Sequence, residues 1–146
     1  MFGFCVWYRV FDISINNIIE ILSTKFNTNK HKGHITIGMK MNDKESLELY
    51  NAVKDKILFK KVGVPYRTIC DNFYTIQQDY VGDSKTYHIS LVCRENQEFS
   101  LSEIQHVKDL YKLPDEIKNI KIERWLCDST CCLDWRLLDS KKVIVL

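Results

Sequence analysis

"KGHITIGMK" at residues 32–40 and "YHISLVC" at residues 87–93 hold one four-residue frame: histidine, isoleucine, hydroxyl, apolar. The chain has only four histidines, and two of them open this frame. Successive residues of a strand point to opposite faces. In the first stretch His34, Thr36 and Gly38 therefore share one face, and Ile35, Ile37 and Met39 the other. In the second, His88 and Ser90 share a face, opposite Ile89 and Leu91. A lone strand histidine is usually structural, but two in one frame make coincidence a minority reading. The pair sets the expectation for the whole fold: two strands, one in each of two units, each presenting a histidine and a hydroxyl from one side.

Working outward, Phe2 to Phe11 is rich in aromatic and β-branched residues, as in a buried strand. Ser14 is a fair N-cap for a helix with Ile15, Ile18, Ile19, Leu22 and Phe26 on one face. Asp43 can cap a second helix running to about Ile57, with Leu47, Tyr50, Val53 and Ile57 inward. The segment from Lys60 to Val81 favours strands, and "GDSK" supplies turn residues for an antiparallel hairpin into the second histidine strand. Ser100 to Glu103 resembles a capping box before a helix carrying Ile104, Val107, Leu110 and Tyr111. "IKIERWLC" predicts a further strand, followed by a hairpin around Asp139 to Lys142. No linker interrupts this order, so residues 1–146 read as one α+β domain with two lobes.

Composition narrows the function classes. An apolar share of 45% with 27% charged residues suits a folded globular domain, and a net charge of +2 argues against a general polyanion binder. The longest apolar runs fall far short of the roughly 20 residues needed to cross a bilayer. The apolar N-terminus lacks a basic leader and a small-residue cleavage site, so a cytoplasmic, non-membrane protein is expected. Six cysteines, Cys5, Cys70, Cys93, Cys127, Cys131 and Cys132, include no CxxC pair and no nearby histidine, which favours reduced, partly buried thiols over a zinc site. Sixteen lysines against five arginines, with abundant isoleucine, point to an AT-rich gene.

The paired frame has a coherent chemistry. Cleaving a phosphodiester without a metal needs one group to take a proton from the attacking oxygen and another to protonate the leaving oxygen, and imidazole titrates in the right range. Each hydroxyl lies about 6.6 Å along the strand from its histidine. There it can donate to non-bridging phosphate oxygens. With only two histidines converging and no third ligand, neither metal nor cofactor is expected.

His34-Ile-Thr36-Ile and His88-Ile-Ser90-Leu resemble the paired HxT and HxS signature of the 2H phosphoesterase superfamily, the LigT-like phosphodiesterases. "YRVFDIS" is similar to that family's opening strand, which runs into an aspartate. "IKIERWLC" followed by Trp135 looks like its last strand pair. The arginine often found early in the family's first strand has no clear counterpart. The resemblance implies a two-lobed LigT-like fold, with antiparallel sheets lining a central cleft and helices outside. It also implies catalysis by His34 and His88, in an order left open, with Thr36 and Ser90 binding phosphate.

Family members act on cyclic phosphates of RNA ends, 2′,5′-linked oligoadenylates and cyclic dinucleotides, among others. The small size resembles compact viral members that degrade host signalling nucleotides. The expected substrate is accordingly a cyclic dinucleotide such as 2′,3′-cGAMP, cleaved in the host cytoplasm to blunt innate immune signalling. The alternatives are a 2′,5′-oligoadenylate phosphodiesterase and a non-catalytic nucleotide-binding module. No stable DNA or RNA complex is expected, and oligomeric state is open. Among the aromatics, Trp7, Tyr8, Tyr87 and Trp125 flank the expected cleft. Tyr8, Glu123 and Trp125 are the candidate substrate-binding residues, although Trp7 and Tyr8 lie on opposite faces and cannot both be ligands.

Overall fold

A computed structural model describes residues 3–70, 73–127 and 135–146. Among the described residues the chain is α+β, with three helices and mostly antiparallel sheets. In chain order the elements are β1 (Gly3–Val10), α1 (Ile13–Lys25), β2 (His34–Met41), α2 (Asp43–Ala52), β3 (Lys56–Ile57), β4 (Phe59–Cys70) and β5 (Phe73–Gly82). There follow β6 (Lys85–Arg94), α3 (Leu101–Leu110), β7 (Glu116–Ile117), β8 (Ile120–Cys127), β9 (Arg136–Lys142) and β10 (Ile144–Val145). One four-stranded sheet has the order β2-β1-β8-β9, the other β6-β5-β4-β7, and β10 pairs with β3 in parallel. β2 and β6, the two histidine strands, are edge strands of different sheets and pack alongside each other.

The helices lie on one side. α2 covers the first sheet, α1 packs against β6, and α3 against β4. One continuous apolar core fills this side, joining Val6, Tyr8 and Val10 of β1 to Ile15, Ile19 and Leu22 of α1. It continues through Ile76 and Tyr80 of β5, Ile89 and Leu91 of β6, and Val107 of α3. The opposite face of the first sheet carries His34 and Thr36 beside a second, smaller apolar cluster of Cys5, Trp7, Trp125 and Cys127.

Several local expectations meet their cause here. α1 starts at Ile13, so Ser14 is inside it and Asp12 is the cap residue. Asp12 spends its carboxylate on the backbone N–H groups of Lys118 and Asn119, tying the start of α1 to the lead-in of β8. α2 is capped by Asn42 and Glu45 in a reciprocal capping box and stops at Ala52, well short of Ile57. Ile57 pairs in β3, and Leu47 is exposed. α3 has the capping box Ser100/Glu103, with Ile104 and Val107 buried, but Leu110 is exposed. The β5–β6 hairpin turns through Asp83 (φ 51°) and Ser84 (φ 63°), the doubly left-handed geometry that matches strand twist. Asp139 to Lys142 form no hairpin; they run within β9, with Asp139 opposite Arg124. Arg124, nearly buried, donates to Asp139, to Asp43 and to Ser46 of α2, which holds the edge strand in place.

Among the described residues, no helix is long and apolar enough to cross a membrane. Cys5 and Cys127 are buried and Cys93 is half-buried. Cys131, Cys132 and the side chain of Cys70 lie outside the described residues.

Candidate active site

Strand register assembles the site. On the first sheet, His34 of β2 is opposite Arg9 of β1, and Arg9 is opposite Lys121 of β8, which is opposite Lys142 of β9. The next row, one strand repeat along, is Thr36, Trp7, Glu123 and Ser140. Directly paired residues project to the same face, so both rows line one surface. On the second sheet, His88 is opposite Asp79, and Ser90 opposite Gln77, which is opposite Tyr66 of β4.

Both motif strands carry the same irregularity. β1 advances one residue, Val6 to Trp7, while β2 advances two, from Thr36 to Gly38, so Ile37 is an extra residue. Likewise β5 advances from Ile76 to Gln77 while β6 passes from Ser90 to Val92, leaving Leu91 as the extra one. A bulge thus follows the hydroxyl in each frame and reverses the alternation beyond it. This corrects the expected parity of the first strand. Gly38 faces α2, where a Cβ would meet Leu49, and Met39 joins the cluster of Cys5, Trp7, Trp125 and Cys127.

His34 is held on three sides. Its Nδ1–H donates to the Lys32 carbonyl at 2.6 Å, its ring stacks on Trp7 with centroids 4.1 Å apart, and His31 meets it edge-on at 6.3 Å. Burial pushes its pKa down to about 4, helped by the positive charges of His31, Arg9 and His88 against the smaller opposing effect of the Lys32 bond. The imidazole is therefore neutral, with the lone pair on Nε2 available to take a proton. His88 is exposed, whereas Thr36 and Ser90 are half-buried.

Three residues without a role in the sequence reasoning complete the arrangement. His31 donates from Nε2–H to the Ser90 carbonyl at 2.6 Å, linking the lead-in of one motif strand to the other, and burial lowers its pKa. Arg9 lies beside His34 on the neighbouring strand. Its Nη1 is 3.7 Å from Glu123, and its Nε is buried without a partner among the described residues. On the second sheet Tyr66 donates to Asp79 at 2.9 Å and accepts from Gln77 at 2.6 Å, a polar row beside His88 and Ser90. Arg9 was visible as the residue sharing strand parity with Trp7. His31 and Tyr66 had no sequence signal, since their partners are distant in the chain.

The candidate substrate residues fare differently. Tyr8 is on the core face of β1, 2% exposed, with its hydroxyl donating to the Lys54 carbonyl and its ring edge-on to Phe59. Parity excludes it from the site; Trp7 is the residue on the histidine face. Glu123 and Trp125 do share that face, but both are buried. One oxygen of Glu123 accepts from the indole N–H of Trp7 at 3.1 Å and of Trp125 at 2.9 Å, and Lys32 lies 5.0 Å above the Trp125 ring. They buttress Trp7, and through it His34, rather than offering an open surface to a base.

Trp135 precedes β9 and packs near Trp7 at 6.1 Å. Two surface cavities of about 340 and 380 Å³ lie elsewhere, by Gly63, Gln78 and Leu110 and by Arg67 and Phe99, and neither histidine lines them. Among the described residues no group of three or more His, Cys, Asp or Glu is placed to hold a metal ion. No protein-family model matches the chain, and no curated protein does.

Proposed function

We propose that the protein is a metal-independent phosphodiesterase of LigT-like 2H architecture that cleaves a small signalling nucleotide. A cyclic dinucleotide such as 2′,3′-cGAMP is the first candidate, degraded in the cytoplasm, and in the host's cytoplasm if the chain is viral. The observation that carries this reading is the placement of His34 and His88, each followed by a hydroxyl and then a bulge, on packed edge strands of two sheets.

His34 suits the general base. Its Nδ1–H is committed to the Lys32 carbonyl and its pKa is low, so Nε2 is an acceptor at neutral pH. It takes the proton of the attacking oxygen as that oxygen bonds to phosphorus. His88, on the other wall, supplies the proton to the leaving oxygen as its bond to phosphorus breaks. A bound phosphate anion raises the basicity of His34 through opposite charge, so binding readies the base. Thr36 and Ser90 donate to the non-bridging oxygens. The nucleophile is water or a ribose hydroxyl adjacent to the scissile linkage; in the second case a 2′,3′-cyclic phosphate forms first and is then hydrolysed.

The test is turnover of a panel of cyclic dinucleotides and 2′,5′-oligoadenylates, with and without EDTA. His34→Ala and His88→Ala should each lose a factor of about 10²–10⁴ in kcat, and EDTA should change nothing. Full activity in either variant sinks the mechanism, and loss with EDTA sinks metal independence. Tight binding without turnover would instead make the protein a nucleotide-binding module.

A further inference from the structure

The phosphodiesterase reading needs one phosphate at the histidines, but the row containing His34 does not end there. Arg9, Lys121 and Lys142 continue it across β1, β8 and β9 to the far edge of the sheet, on the same face. Adjacent strands are about 4.8 Å apart, so Lys121 and Lys142 stand roughly 10 and 14 Å from the His34 strand. Arg9 and Lys121 converge on the Phe11 ring, 4.7 and 5.5 Å from its centroid. Both lysines are exposed, and among the described residues neither pairs with an acid. Glu123 is the one acid in the two rows, and its Oε1 already serves two indoles. A chain with a net charge of only +2 thus concentrates cations on this face.

Resting on the phosphodiesterase reading, we propose that this row is a second phosphate subsite, so that the substrate is an oligonucleotide with at least two phosphates rather than a mononucleotide. The scissile phosphate sits between His34 and His88, and the next lies over Arg9 and Lys121. Lys142 takes a third where the chain continues. A cyclic dinucleotide ends at Lys121, whereas a linear oligonucleotide reaches Lys142.

The probes are a fluorescent linear 2′,5′-adenylate trimer phosphorylated at its 5′ end, which gives it three phosphates, a fluorescent cyclic dinucleotide with two, and a 2′,3′-cyclic mononucleotide with one. Binding is measured on full-length protein carrying His88→Ala, which prevents turnover from obscuring affinity. The trimer should bind more tightly than the mononucleotide, and Lys121→Gln with Lys142→Gln should reduce that advantage tenfold or more. The slope of log K against log salt should fall by about 0.7 for each lost contact. Lys108→Gln with Lys112→Gln, at and just after the end of α3, removes equal charge elsewhere and should leave ratio and slope unchanged. A single Lys142→Gln weakens the trimer alone if the substrate is linear, while Lys121→Gln weakens both longer probes. Equal affinity for trimer and mononucleotide, or an advantage and slope unmoved by the Lys121/Lys142 pair, overturns the subsite. Absence of cleavage by the unmodified protein, with the lysine effect present, overturns the phosphodiesterase reading and leaves the subsite standing.

Discussion

At the scale of single residues, the depressed pKa of His34 has two measurable consequences. An ordinary histidine titrates near 6.5, so between about pH 6.5 and 4 the unfolded chain holds a proton that the folded site refuses. Stability from this group is complete above about pH 6.5 and lost as the pH falls toward 4. Because His34 is only partly shielded, we expect a loss of about 1–2 kcal/mol, or roughly 3–8 °C in Tm. His31, lowered in the same direction, adds to it. His34→Gln should flatten this part of the profile in thermal scans from pH 7 to 4; an unchanged profile contradicts the burial argument. If His34 is the base, the acidic limb contributed by it to kcat/KM falls below pH 6.5, since that ratio reports the free enzyme. Tyr8→Phe tests the corrected assignment. It removes a hydrogen bond to the Lys54 carbonyl, costs about 1 kcal/mol in urea unfolding, and should leave KM unchanged.

Among the elements, the bulges at Ile37 and Leu91 decide where the alternation set by each histidine reverses along its strand. Their positions were not legible because a bulge is a mismatch between two strands, and one strand's sequence contains only half of it. Helix faces were readable where one apolar stripe meets the core, as in α1, and misread in α2, where Leu47 fits the stripe but has no core above it. Backbone geometry offers two tests in the hairpin between β5 and β6. Ser84→Gly relieves a left-handed φ of 63° and should stabilise by about 0.5–1 kcal/mol. Gly82→Ala sets a methyl 2.6 Å from carbons of the buried Phe59 ring, and should destabilise by about 1–3 kcal/mol. Chemical denaturation of the two variants should therefore move in opposite directions.

For the whole molecule, the telling feature is that two sheets share one helix-side core yet keep their histidine strands at adjoining edges. The bond from His31 to the Ser90 carbonyl crosses between them. His31→Ala should raise amide hydrogen exchange in both β2 and β6 by local loosening; an effect confined to β2 would mean that the bond does not couple the sheets. By itself the sequence determined the α+β class, most strand positions, the capping of α3 and the side of each strand that bears histidine and hydroxyl. These depend on period-two alternation and on contacts three or four residues apart, which a linear pattern records directly. Only the tertiary structure decided that Tyr8 is core while Arg9 joins His34, that Glu123 serves two tryptophans, and that Lys121 and Lys142 extend the histidine row. Those relations depend on which strands become neighbours and in what register, and that choice is made by burying apolar faces across the whole chain.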